Sequence, residues 1–188
     1  MRKLKLQMQM TIDGFVAGPN GELDWMWLPA EKDDSVFKQV IDIADSSDTI
    51  LLGRKMTSGF IEHWENVTDN QPNSPEHPLA TRMVNMRKIV FSRTHKEMKG
   101  RNLNVENNDM VEAIEILKKE SGKDILIYGG ADFASSLIKA NLINEYLIFR
   151  NPVAIGEGLR IFSEQKPLKL IHSVVYKSGK TLETYLPL

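Results

Sequence analysis

The sequence predicts one three-layer α/β/α domain, with a mostly parallel mixed sheet and an antiparallel hairpin at its C-terminal end. Three observations carry this. Apolar runs of strand length alternate with segments of helical spacing. Two of those runs end directly in glycines that open a helix. Two strand patterns close the chain around Ser178-Gly179. The 188 residues suit a single domain, spanning 1–188, with a sizeable core.

Taken in order, residues 3–12 alternate Leu4, Leu6, Met8 and Met10 with polar residues, which predicts a first strand ending in Asp13-Gly14. Residues 17–33 read as a loop, with turn signals at Gly18-Pro19-Asn20-Gly21. Val36, Phe37, Val40, Ile41 and Ala44 have helical spacing, and Asp33 or Asp34 caps that helix. Thr49–Leu52 is a short buried strand, and Gly53-Arg54-Lys55 opens a short helix through about Ile61. Residues 65–78 are polar and hold Pro72, Pro75 and Pro78, which predicts a long exposed loop, a candidate flap. A basic segment with Met83 and Met86 leads to a strand at Lys88–Phe91, a turn through Thr94-His95 and a short strand near Asn102–Val105. Val111, Ile114 and Leu117 mark a helix between a cap at Asp109 and a stop at Gly122. Asp124–Tyr128 is an apolar strand, followed by Gly129-Gly130 and a helix through Phe133, Leu137 and Ile138 that ends near Asn141. Tyr146–Phe149 is a strand, and Leu168–Tyr176 with Lys180–Tyr185 forms the hairpin.

Composition narrows the chemistry. A formal net charge of -1 gives no electrostatic case for nucleic acid or an anionic membrane surface. No apolar run is long enough to span a bilayer, and the alternating N-terminal pattern is unlike a signal peptide. The chain has no cysteine, which rules out disulfides, zinc–thiolate sites, iron–sulfur clusters and a cysteine nucleophile, and suits a reducing cytoplasm. His63, His77, His95 and His172 show no metal-ligand spacing, so no metal is expected. Ser135-Ser136 lacks a nucleophile-elbow pattern.

Three strand ends carry groups that bind phosphate. At Tyr128-Gly129-Gly130-Ala131-Asp132 a strand runs into paired glycines and a helix start, whose free N–H groups and partial positive charge suit an anion. The alternative is a tight turn with Asp132 stabilising the helix start. This is not a Gly-x-Gly-x-x-Gly fingerprint. Gly53-Arg54-Lys55 repeats the arrangement with two cations, which are unfavourable at a helix N-terminus unless an anion lies nearby. The alternative is two solvated surface charges. Ser92-Arg93 ends a third strand in a hydroxyl and a guanidinium. A dinucleotide, with more than one phosphate region, matches the set. On the substrate side, Asp13 is a carboxylate at the end of the first strand, although Asp before Gly is also a common turn former. Phe15, Trp25 and Trp27 are candidates to stack on a planar heterocycle, or are packing residues.

These residues resemble the dihydrofolate reductase superfamily, and within it stand-alone proteins similar to the C-terminal reductase domain of bifunctional riboflavin biosynthesis proteins. The resemblance covers nearly the whole chain. It rests on Met10–Gly18, Asp24-Trp25, Leu52–Lys55, Ile89–Arg93, Tyr128–Asp132 and the late Pro152-Val153-Ala154-Ile155-Gly156-Glu157-Gly158 with Phe162. It implies a dihydrofolate reductase-like fold that binds NADPH and passes hydride to a small heterocyclic substrate. Candidates are 5-amino-6-(5-phosphoribosylamino)uracil and, more weakly matched, dihydrofolate. It assigns Gly129, Gly130, Ala131 and Asp132 to the pyrophosphate. Gly53, Arg54, Lys55 and Met56, with Ser92 and Arg93, go to the adenosine end, where the arginines favour a 2′-phosphate. Val16 and Ala17 fall near the nicotinamide. Where the family has Thr after the Gly-Arg-basic triplet, this chain has Met56 and then Thr57. Leu28-Pro29-Ala30-Glu31 is similar to the neighbourhood of the dihydrofolate reductase carboxylate, which makes Glu31 a second candidate acid. The resemblance also implies a homodimer, for which Val153, Ile155, Leu159, Ile161 and Phe162 are candidate interface residues, or else core. The zinc deaminase fused to the riboflavin reductase needs a His-x-Glu and paired cysteines, which are absent. The reading from a different class is a nucleotide-binding module without catalysis, a sensor or scaffold.

Overall fold

The computed structural model describes residues 1–28 and 33–188. Its centre is an eight-stranded sheet in the order β4-β3-β2-β5-β1-β6-β8-β7. The strands are β1 (Leu4–Thr11), β2 (Ser47–Gly53), β3 (Arg87–Phe91), β4 (Leu103–Glu106), β5 (Asp124–Ile127), β6 (Glu145–Asn151), β7 (Leu168–Val175) and β8 (Thr181–Pro187). The first six are mutually parallel. β8 runs antiparallel to β6, and β7 antiparallel to β8. The expected mixed sheet and closing hairpin are both present, and Gly179 makes the hairpin turn with φ +79°.

Helices cover both faces, because each has one apolar stripe to bury. On one face lie α1 (Asp34–Asp45), α2 (Arg54–Asn70) and α3 (His77–Asn85), which bury Val40, Ile43, Phe60, Trp64, Val67 and Met83 against Ile50, Leu52, Val90, Leu126 and Phe149. On the other lie α4 (Met110–Lys119) and α5 (Ala131–Lys139), with Ile114, Leu117, Leu137 and Ile138 against Leu4, Leu6, Leu51, Ile125 and Ile127. Asp33 caps α1 by accepting from Ser35 N at 3.0 Å, and Asp109 caps α4 through Val111 N and Glu112 N at 2.9 and 3.0 Å.

The middle of the chain differs from its sequence reading. The expected loop over residues 65–78 is mostly helix: α2 continues past Ile61 to Asn70, and α3 begins at His77, so only residues 71–76 link them. Trp64 and Val67 extend the stripe begun by Phe60 and Ile61, and their burial overrides the polar composition around them. Pro78 sits in the first turn of α3, where a missing N–H costs nothing. No flap remains in this region. The basic segment with Met83 is the rest of α3, and Met83 is fully buried.

Candidate active site

Strand order reverses between β2 and β5. From β2 the chain moves outward to β3 and β4; from β5 it moves past β1 to β6. The helix after β2 covers one face and the helix after β5 covers the other. Open α/β sheets bind ligands at the carboxyl ends of strands at such a reversal, and the starts of both helices lie at that edge. Gly53 precedes α2 and Gly130 precedes α5, and neither helix start has a side-chain cap. The first-turn N–H groups of both helices are thus left for an anion.

The two glycines abut. A Cβ on Gly53 would lie 2.8 Å from Phe133 Cβ, and one on Gly130 would lie 3.4 Å from Gly53 Cα. Gly130 also has φ +92°. Glycine is required here both by close approach and by backbone angle. Met56, from the first turn of α2, lies over Gly129: its Sδ is 2.8 Å from where a Gly129 Cβ would be. Thr57 does not replace the missing hydroxyl, since it is fully buried and donates to Gly53 O at 3.0 Å. Lys55 Nζ pairs with Asp132 Oδ2 at 2.6 Å across the two helix starts. Both side chains are largely exposed, so this pair contributes at most about 1 kcal/mol and opens readily. Arg54, at the start of α2, and Arg93, two residues beyond β3, are exposed. At the end of β3, Ser92 Oγ accepts from His95 N at 2.9 Å and Thr94 N at 3.3 Å, which leaves its proton free to donate. Phe91 stacks on Phe133, with ring centres 5.4 Å apart, and so ties this strand end to α5.

The loop after β1 is braced by the late glycine segment. Val16 N donates to Leu159 O and Leu159 N to Ala17 O, both at 2.9 Å. A Cβ on Gly158 would sit 2.2 Å from Ala17 O, so only glycine lets the two backbones meet. Asp13 Oδ2 accepts from Ile155 N at 3.0 Å and Gly156 N at 2.8 Å, while Oδ1 accepts from the Thr11 hydroxyl. The Thr11 hydrogen bond, assisted by those N–H groups against the cost of burial, holds the Asp13 carboxyl below its usual range. It is ionised at neutral pH and fixes the loop. Phe15 and Trp25 are buried. Arg160 lies over the Phe15 ring at 4.1 Å, and Trp25 Nε1 donates to Glu22 O at 3.2 Å. Trp27 is exposed at 75%. Glu31 lies outside the described residues.

Sequence reasoning missed the polar groups on the α1–α2 face of the sheet. Gln7, Gln9 and Thr11 alternate with the apolar residues of β1, and Asn151 ends β6 opposite Thr11. Tyr128, one residue beyond β5, packs edge-on against Phe60 at 5.7 Å and Trp64 at 6.5 Å. Burial, with the Glu76 charge adding, pushes its phenol upward, so it keeps its proton. The available signal was the polar alternation itself, in a strand that must lie at the centre of the sheet. Among the described residues no cluster of His, Asp and Glu is arranged to hold a metal ion, and no helix is long and apolar enough to cross a membrane.

Comparison with known proteins agrees with this geometry. The chain is 33% identical over 181 residues to the uncharacterized protein YyaP of Bacillus subtilis (strain 168), covering 95% of this chain and 91% of YyaP. It is 26% identical to the riboflavin biosynthesis protein RibD of Buchnera aphidicola, where it spans 49% of that longer protein. In three dimensions it superposes on a putative riboflavin biosynthesis protein from Shewanella with TM-score 0.77, 20% identity and 99% of both chains covered. It also superposes on Enterococcus faecalis dihydrofolate reductase complexed with NADP(H), with TM-score 0.63, 15% identity and 98% and 96% covered. These likenesses establish a dihydrofolate reductase-like fold. A profile of the RibD C-terminal domain matches residues 2–182, and the chain belongs to that family.

Proposed function

We propose that this chain is an NADPH-dependent reductase of a small heterocyclic substrate. The observation that carries the reading is the pair of uncapped helix N-termini meeting at Gly53 and Gly130 where strand order reverses. Family membership supports a reductase-like role, and a structural neighbour was solved with NADP(H). The cradle suits a dinucleotide. N–H groups at Gly129–Asp132 hold the pyrophosphate, Gly53–Met56 with Ser92 and Arg93 hold the adenosine end, and Val16 and Ala17 wall the nicotinamide. NADPH would supply the hydride for a polarised C=N or C=O bond, and an ordered water would supply the proton that completes the reduction. The chain's part is to hold the two reactants in line and exclude bulk water. Asp13 acts through the loop it anchors, because an ionised carboxylate is a poor proton donor. A structural neighbour named as a deaminase/5-amino-6-(5-phosphoribosylamino)uracil reductase, 57% of which this chain covers, makes that pyrimidine one candidate substrate, and the dihydrofolate reductase neighbour makes dihydrofolate another.

Titration with NADPH and NADH, followed by tryptophan fluorescence and thermal shift, tests the reading. At least a tenfold preference for NADPH is expected, about 1.4 kcal/mol. Arg54→Ala and Arg93→Ala should each erode that preference. No binding of either nucleotide at millimolar concentration would sink the proposal. The second reading, a nucleotide-binding module without catalysis, is favoured by the commitment of Asp13 to the backbone of Ile155 and Gly156. NADPH binding without turnover of any pterin or pyrimidine would select it.

We also propose a homodimer, for which a second candidate surface stands beside the expected one. Of the segment expected at the interface, Ile161 is fully buried and Phe162 stacks on Tyr146 at 6.2 Å, whereas Val153 and Ile155 are half-buried and Leu159 is exposed. β7 is an unpaired edge with Leu170, Ile171 and Val175 exposed, and a second copy of β7 would continue the sheet about a two-fold axis. Light scattering should report a dimer for the parent protein and a monomer for a Leu170→Lys, Val175→Lys double variant. A monomeric parent protein would remove this part of the proposal.

A further inference from the structure

A central strand covered on both faces is expected to be apolar throughout. β1 is central, between β5 and β6, yet its α1–α2 face reads Gln7, Gln9, Thr11. Gln9 is half-buried, so the covering helices leave part of it open to solvent. Around it stand carboxamide oxygens that have lost water without gaining a partner. Gln7 Oε1 and Asn151 Oδ1 are buried and accept no hydrogen bond among the described residues, in side chains only 4% and 2% exposed.

The orientation of Gln9 follows from fixed points. Asn151 Nδ2 faces three oxygens: Phe149 O at 3.2 Å, Met10 O at 3.4 Å and Gln9 Oε1 at 2.9 Å. Two of these are backbone carbonyls, which only accept. The Asn151 amide must therefore turn its NH2 toward them, and the atom of Gln9 that meets it must be the oxygen. That leaves the Gln9 NH2 pointing away from Asn151, with no acceptor among the described residues.

We propose that Gln9 reads the substrate by donating from Nε2 to a ring carbonyl, and that Asn151 is the positioning residue that turns it to do so. The inference rests on the reductase reading only for calling the ligand a substrate. The geometry calls for an uncharged planar heterocycle that presents acceptors along the edge facing β1. A dioxo ring fits this edge, whereas a diamino ring would set donor against donor, a mismatch that costs affinity.

Calorimetric titration of the purified protein with lumazine (2,4-dioxopteridine) and 2,4-diaminopteridine, each with and without NADPH, tests the proposal. The parent protein should bind lumazine at least tenfold tighter. Gln9→Glu, whose outer oxygen accepts rather than donates, should reverse the order. Gln9→Met should bind both weakly and alike. Asn151→Leu should narrow the preference toward unity while circular dichroism shows the fold retained. A merely structural role for Asn151 would lower both affinities and leave their ratio unchanged. If Asn151→Leu does not fold, the Gln9→Glu reversal still decides. The proposal is overturned if the parent protein prefers the diamino ring, if Gln9→Glu leaves the ratio where it was, or if neither pteridine binds. NADPH binding is recorded in the same experiment. Its absence alongside a clean reversal ends the reductase reading and leaves this inference standing, and the opposite pattern does the reverse.

Discussion

Gly130→Ala should weaken NADPH binding about 100-fold, equivalent to about 2.7 kcal/mol. Gly130 stands at φ +92°, ψ +94°, outside the regions a residue with a Cβ adopts without strain. Holding alanine there costs about 1–3 kcal/mol. The new methyl group would also press on Gly53 Cα at 3.4 Å and Phe133 Cβ at 3.5 Å. The chain should relieve both by rotating the turn, which would swing the first N–H groups of α5 off the line of the proposed pyrophosphate site. Affinity should therefore fall further than stability. Gly59→Ala is the matched control. It lies on the exposed side of α2, where a Cβ meets nothing within 4 Å, and should stabilise the protein by about 0.5–1 kcal/mol with no change in binding. Unchanged affinity in Gly130→Ala would remove the turn from the cofactor site.

Lys88→Met should cost about 3 kcal/mol and lower the melting temperature by roughly 10 °C. Lys88 is 1% exposed, deep under α3. Its Nζ donates to Met83 O at 2.9 Å, Val84 O at 2.7 Å and Met86 O at 2.9 Å. A single side chain thus terminates α3, at the helix end where positive charge is favoured. Methionine fills the space but removes all three hydrogen bonds, leaving Val84 O with the longer one from Asn102 Nδ2 at 3.3 Å. The lysine leaves a second signature. Burial pushes its ammonium down to about 8 from an ordinary 10.5. Between those values the unfolded chain holds a proton that the folded chain has released, so stability rises with pH there. The parent protein should gain stability relative to Lys88→Met as pH goes from 8 to 10.5, in denaturant melts of both. Equal slopes would mean that the three carbonyls keep the proton in place.

Backbone chemistry was legible in the sequence and long-range pairing was not. The glycines at 53, 129 and 130 stood out because strands running straight into helices need them, and the structure gives Gly53 and Gly130 steric reasons to be glycine. The closing hairpin was legible from Ser178-Gly179. The second half of α2 was hidden, because Trp64 and Val67 are spaced among Glu62, His63, Glu65 and Asn66, and prolines follow. No local pattern announces that β5 lies between β1 and β2, since that depends on how helices distribute over two faces. The Gln9–Asn151 contact was out of reach for the same reason: 142 residues separate the pair, and only the register of β1 on β6 brings them together.

The place of β1 also governs how the protein is made. Both of its neighbours come late: Lys3 N meets Asp124 across 121 residues, and Leu4 N meets Asn144 across 140. During synthesis the segment from β2 to α4 is complete while β1 still lacks both partners, and such non-local pairing is slow to form. An exposed first strand with apolar residues on one side is an aggregation hazard for that interval. Its glutamines and lysine, which leave the other side polar, also help keep the nascent chain soluble. The glutamines that face α1 and α2 in the finished protein would therefore act earlier, as gatekeepers of an unfinished one.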